Sequence, residues 1–232
     1  MRYKILILLL WLGVAVSAQL KVSILGDSYS TFKEWIPEGN LTWYGVEQDN
    51  DVKKVEQTWW HQLIANNGLQ LEVNNSYSGA TICNTGYDGK DYSDRSFLTR
   101  AADLGDAPDI IYVFGGTNDD WARSPIGKGS GSDMYTVRPA AKAMLKKIKK
   151  AYPEAVCLVI INSELKAKTV DAIKEACENQ GVPYVQLRDI DKQSGHPSVK
   201  GMQAIASQVW AATQPLIKKK LNRRKAVMQP AA

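Results

Sequence analysis

Histidine, cysteine and long apolar runs are all scarce in this chain, and each scarcity narrows what it can be. Two histidines, His61 and His196, are the whole supply, so an imidazole-rich metal centre is excluded and any histidine-based proton transfer has two candidates. Three cysteines are too few, and odd in number, for a disulfide framework. Cys157 lies in the apolar run AVCLVII and Cys177 on the apolar side of a helical pattern, which reads as two small core residues, with a bridge between them left open. Cys83 falls in a polar loop without an assigned partner. Positive charge is scarce too, once its location is considered. Of a formal balance of +5, eight positive charges sit in Arg2, Lys4 and the C-terminal Lys218, Lys219, Lys220, Arg223, Arg224 and Lys225, and without them the balance is −3. A globally basic nucleic-acid binder is therefore disfavoured, and no nucleic-acid partner is expected.

What is present begins with a leader. Arg2 and Lys4 precede the apolar run ILILLLWLGVAV, and VSA supplies small residues before Gln19, the pattern of a signal peptide cut near Ala18. Residues 1–18 are read as that peptide, 19–217 as one domain and 218–232 as a basic, solvated tail. Export to a periplasmic or extracellular space follows, without stable membrane insertion after cleavage. No cysteine follows the small residues, so a lipoprotein is not expected.

Within 19–217 apolar strands alternate with helical patterns. KVSILGD, LQLEVNNS, PDIIYVFGGTND, AVCLVIIN and VPYVQL read as five strands. TWWHQLIANNG, SDRSFLTRAADLG and residues 165–180 read as helices, as do the faces made by Val137, Ala141, Met144, Leu145 and Ile148 and by Val199, Met202, Ile205, Ala206, Val209 and Thr213. Residues 29–57, with Trp35, Trp43 and Pro37, form a long irregular segment whose aromatic content argues against disorder. The alternation implies a parallel sheet covered by helices on both faces. Functional groups of such sheets gather beyond the carboxyl ends of the strands, and here those ends carry GDS, NNSYSG, GGTND, INSE and RDIDKQSGHP.

Ser28 in GDS is either a turn residue or a nucleophile, and a nucleophilic serine needs a base. His61 lies on a helix away from the strand ends, whereas His196 follows the last strand at the same sheet edge as Ser28. Attack on an ester also needs donors for the oxyanion. The backbone N–H groups of Ser28 and Gly79 and the amide of Asn118 stand at suitable strand ends, although each alone also reads as a loop or turn residue.

Taken together, GDSYS with Ser28, SYSGAT with Gly79, GGTND with Asn118 and GHP with His196 resemble, in order, the four blocks of the SGNH (GDSL) hydrolase superfamily. The resemblance runs from Leu25 to Pro197. It implies a three-layer α/β/α sandwich on a five-stranded, flavodoxin-like parallel sheet, and acyl-ester hydrolysis without a cofactor. Ser28 would be the nucleophile, His196 the base, and Ser28, Gly79 and Asn118 the oxyanion hole. GDSYS lacks the second glycine of the G-x-S-x-G elbow, which separates the chain from α/β-hydrolases.

One departure stands out. The family usually places an aspartate three residues before the histidine, and here that residue is Gln193. Asp191 is the candidate third member, with Asp189, Gln193 or a backbone carbonyl as alternatives for orienting the imidazole. Asp119 and Asp120 lack the accompanying ligands of a metal site, so neither metal nor cofactor is expected. Trp35, Trp43, Tyr44 and Trp121 are candidate platforms for a sugar ring, or else packing for the long segment. The expected function is hydrolysis of a short acyl ester, on a glycan or small molecule. A carbohydrate-binding protein with lost catalysis and an acyltransferase using the same serine are the alternatives. Oligomeric state is not legible.

Overall fold

The computed structural model describes residues 19–228, with side chains through Arg223. The leader expected over 1–18 lies outside the described residues. Five parallel strands form the central sheet: β1 Lys21–Gly26, β2 Gln70–Ser76, β3 Ile110–Phe114, β4 Val156–Ile161 and β5 Tyr184–Gln186. Their spatial order is β2-β1-β3-β4-β5, the flavodoxin-like order, in which the chain reverses its direction of travel between β1 and β3. The α/β/α sandwich expected from the alternation is the fold observed.

Strand periodicity of two explains the layers. Leu25, Ile111, Val113, Val159 and Ile161 face one layer with α4 (Val137–Ala151) and α5 (Ala167–Gln180). Val22, Ile24, Ile110, Tyr112, Phe114, Leu158 and Ile160 face the other, with α1 (Trp59–Asn66) and α6 (Val199–Met228). Burying both faces removes the need for polar alternation, which is why these strands read as near-continuous apolar runs.

Three features depart from the sequence reading. The helix expected over SDRSFLTRAADLG is only one turn, α2 Phe97–Arg100, and GGTND opens another short helix, α3 Thr117–Trp121, rather than a turn. The tail expected to begin at residue 218 instead continues α6, which runs through Pro215 to Met228. Past the buried Ile217, Lys220 Nζ pairs with Asp109 at 2.9 Å while Lys218, Lys219 and Arg223 stay exposed, so the segment is helical as well as solvated. Cys83, Cys157 and Cys177 are all buried free thiols. Cys83, expected in a polar loop, packs in the apolar layer beside Phe97 and Ala101.

Candidate active site

β1 ends at Gly26, where the side chains of Ser76 and Ser30 leave no room for another: an added Cβ would lie 2.4 Å from Ser76 Oγ and 2.6 Å from Ser30 Cβ. The chain then turns through a short 3-10 helix, Ser28–Ser30, capped by Asp27 Oδ1, which accepts from Tyr29 N at 3.0 Å. Ser30 is buried and fixes this turn from behind, its Oγ accepting from Trp59 Nε1 and its carbonyl from Trp60 Nε1 and Asn74 Nδ2. Ser28 is thereby presented at the sheet edge.

His196 arrives on a small antiparallel hairpin, β6 Lys192–Gln193 and β7 His196–Pro197. Its two-residue turn has Ser194 at φ 49° and Gly195 at φ 76°, the double left-handed geometry of tight hairpins. Residues 29–57 hold the hairpin in place. Tyr29 Oη donates to Gly195 O and Tyr44 Oη to Pro197 O, each at 2.8 Å, while Asn50 Nδ2 reaches Gln193 O at 3.3 Å and Pro197 O at 3.2 Å.

The result brings His196 Nε2 to 2.9 Å from Ser28 Oγ. On the other side of the ring, Nδ1 lies 3.3 Å from Ser194 O. A carbonyl only accepts, so Nδ1 carries the hydrogen and Nε2 is left to accept the serine proton. Ser28 is 4% and His196 8% exposed. That burial pushes the imidazole pKa down to about 4, with Lys192 lowering it further and the Ser194 carbonyl opposing.

The loops that carry the other expected oxyanion donors follow β2 and β3, the two strands that flank β1. Asn118 stands in the first turn of α3, where Nδ2 donates to Ala80 O at 2.9 Å and Oδ1 accepts from Tyr87 Oη at 2.8 Å. One Nδ2 hydrogen remains for another acceptor. Gly79, at φ 83°, precedes the carbonyl-bearing Ala80 and adopts a conformation that favours glycine. Asp119 secures this loop by accepting from Ile82 N at 2.8 Å and Cys83 N at 3.2 Å, and burial raises its pKa to about 6. Asp120 accepts from Thr169 Oγ1 at 2.8 Å, joining α3 to α5. Both aspartates are thus occupied within the fold, and among the described residues no cluster of three metal-ligating side chains occurs.

The structure revises two expectations. Asp191 is not on the imidazole: its carboxylate accepts from Ser198 Oγ at the start of α6, because its backbone is committed to the same corner through Ser198 N. Asp189 is exposed in the loop at φ 52°, and Gln193 Oε1 accepts from Asp51 N. Tyr44 is 1% exposed and spends its hydroxyl on Pro197, so it is no platform for substrate. Trp35 packs on Trp60 and His61, the latter partly buried on α1 as the sequence suggested. Trp43 and Trp121 do reach His196, the first stacked on its ring at 3.6 Å and the second edge-on at 6.0 Å.

Two contributors escaped the sequence reading. Arg100 is buried and donates from Nη1 to Asn75 O and from Nη2 to Gly26 O at 3.2 Å, joining the ends of β1 and β2 behind Ser28. Tyr87 orients Asn118. Neither has a local signal, since each acts on a residue distant in sequence, but Ser-Gly in QSGHP was a readable sign of the hairpin.

The sequence profile of the GDSL-like lipase/acylhydrolase family matches residues 20–213. The chain belongs to that family. This GDSL-like protein is accordingly an ester-hydrolysing enzyme. A crystal structure of a candidate GDSL-like lipase from Bacteroides uniformis shares 54% identity over 85% of this chain and 96% of that one, with a TM-score of 0.82. A second, from Bacteroides ovatus, shares 46% identity over 86% of this chain and 100% of that one, again with a TM-score of 0.82. A family two carbohydrate esterase from Clostridium thermocellum, in complex with cellohexaose, shares the fold at 17% identity, a TM-score of 0.60, and coverage of 88% of this chain and 67% of that one. No curated protein matches. A separate groove of the GDSL-like domain, lined by Tyr152, Val156, Pro183 and Leu216, lies toward the amino ends of β4 and β5 and holds neither Ser28 nor His196.

Proposed function

We propose that this GDSL-like enzyme is an exported serine esterase that uses a Ser28–His196 pair, without a carboxylate on the imidazole, to remove a short acyl group. The observation that carries this reading is the 2.9 Å approach of Ser28 Oγ to a His196 Nε2 left unprotonated by the Ser194 carbonyl. Ser28 Oγ attacks the acyl carbon as its proton passes to Nε2, and the carbonyl oxygen becomes an oxyanion among Ser28 N, Gly79 N and Asn118 Nδ2. Collapse breaks the bond to the alcohol oxygen, which takes the proton from Nε2. Water then attacks the acyl-serine, gives a proton to Nε2, and the carboxylic acid leaves as Ser28 regains its hydrogen.

The low exposure of Ser28 and His196 favours a small acyl group such as acetyl. Trp121, 45% exposed and adjacent to His196, is the flat surface that supports a sugar as the alcohol part. The carbohydrate esterase with the same fold is consistent with that direction. The basic leader with its apolar core supports export.

Turnover of aryl acetate and acetylated glycans by the wild type and by Ser28→Ala tests the reading. Wild-type hydrolysis that is abolished in the variant is expected. Glycan binding without turnover by either protein would instead favour a binding protein that retains the fold.

A further inference from the structure

The ring on His196 has an unusual geometry. Tyr29, Tyr44 and Trp121 all meet the imidazole edge-on, at 62°, 81° and 74°. Trp43 does not: its indole lies parallel within 6°, with centroids 3.6 Å apart. Carbon atoms touch at about 3.5–4.0 Å, so a centroid separation this short leaves almost no lateral offset. The two rings are stacked face over face. Neutral aromatic rings avoid that arrangement because their negative faces oppose, whereas a cation over an indole face is attracted to it.

The charged neighbourhood offers the imidazolium little else. From its own hairpin, Lys192 pairs with Glu164 at 2.6 Å and lies over Tyr29, and Asp191 is held by Ser198. From the long segment, Asp49 Oδ2 accepts from Ser194 Oγ and Asp51 Oδ1 from Val199 N; Tyr29 and Tyr44 spend their hydroxyls on hairpin carbonyls. From α3, Asp119 and Asp120 are bonded to the Ile82 loop and to Thr169. From the turn after β1, Asp27 caps Tyr29 N and Ser28 presents its Oγ. Among the described residues the ring therefore has a carbonyl at Nδ1, a serine at Nε2 and an indole on its face.

Resting on the Ser28–His196 reading, we propose that Trp43 is a positioning residue that, from the face of the ring, stabilises the imidazolium formed as Ser28 gives up its proton, a role a carboxylate at Nδ1 usually fills. The stack disfavours the neutral resting ring slightly and favours the charged one, so its contribution grows on the way to the transition state, where it accelerates the chemistry. The backbone that carries the indole is held on both sides of this contact: Trp43 N donates to Thr31 Oγ1 at 2.9 Å, and the adjacent Tyr44 ties the long segment to Pro197.

Site-specific replacement of Trp43 by mono-, di- and trifluorinated tryptophan tests this, because fluorine drains the π face at nearly constant volume. The expected result is a stepwise fall in kcat, reaching between about twofold and thirtyfold, with KM little changed. The His196 pKa, read by NMR of the imidazole, should fall in the same order. Trp43→Phe should retain part of the activity that Trp43→Leu loses. A kcat and a His196 pKa that stay flat across the fluorinated series would overturn the inference. Persistent turnover by Ser28→Ala would overturn the underlying Ser28–His196 reading instead, so the two failures are distinguishable.

Discussion

Asp191→Asn separates a Ser-His pair from a triad by orders of magnitude. In a Ser-His-Asp site the carboxylate fixes the tautomer, and its conversion to an amide costs about 10⁴ in kcat. Here the tautomer is fixed by the Ser194 carbonyl at 3.3 Å from Nδ1, and the Asp191 carboxylate is bonded to Ser198 Oγ. Ser198 Oγ in turn lies 3.1 Å from Gly201 N in the first turn of α6. The carboxylate thus supports a helix start, and weakening such a cap costs about 1 kcal/mol of stability. kcat/KM on an aryl acetate should change by less than about threefold, since no hydrogen bond to the imidazole is lost. Steady-state kinetics beside a urea melt of the same preparation provide the assay. A fall of a thousandfold or more in a variant that melts normally would show that Asp191 reaches His196 during turnover, and would refute the reasoning.

Further outcomes follow from the same geometry. Because His196 acts while neutral and its pKa lies near 4, kcat/KM should rise with pH through about 4 and stay level to neutrality; an acid limb near the ordinary imidazole value would contradict this. The same depressed value makes His196 destabilising as pH falls from its unfolded value of about 6.5 toward 4, since only the unfolded chain takes up the proton there. Asp27 has the opposite sign. Burial raises its pKa to about 7, and among the described residues Oδ2 has no hydrogen-bond partner, so its contribution is lost as pH rises from about 4 toward 7. Asp27→Asn should therefore gain ~2–4 kcal/mol in urea melts at pH 8 and almost nothing at pH 4; equal stability at both would dispose of the idea. Tyr87→Phe removes the donor that orients Asn118 and should lower kcat by about tenfold with KM unchanged, short of the loss from removing an oxyanion donor outright.

How much of this was readable from sequence depends on the range of the interactions concerned. The central strands β1, β3 and β4 were legible because both of their faces are buried, the outer strands β2 and β5 from their short alternating runs, and α4 because its apolar positions recur at helical spacing. Ser28, Gly79, Asn118 and His196 could be placed at one sheet edge because strand direction alone fixes where their loops emerge. The orientation of His196 was not legible. It depends on a two-residue turn whose carbonyl points back at the ring, and on Trp43, more than a hundred and fifty residues earlier, lying flat upon it. Asp191 is misleading in the sequence for a related reason: nearness along the chain says nothing about which way a carboxylate points. Tyr44 and Trp35 are aromatic residues in the same polar segment, yet Tyr44 is buried with its hydroxyl on Pro197 O while Trp35 lies exposed against Trp60 and His61, a difference no local pattern marks. The basic tail is solvated as its composition suggests, with Lys218, Lys219 and Arg223 exposed, but its helical state and the pairing of Lys220 with Asp109 depend on the body of the domain.

The central claim is that Ser28, activated by His196, is the residue that takes the acyl group. Its most direct test is to quench turnover of an acetate ester with acid and locate the acetyl group by peptide mass spectrometry. The account predicts a single acetyl group on Ser28, absent from Ser28→Ala and formed far more slowly in His196→Ala. Acetyl on another residue, or unimpaired hydrolysis by Ser28→Ala, would contradict it.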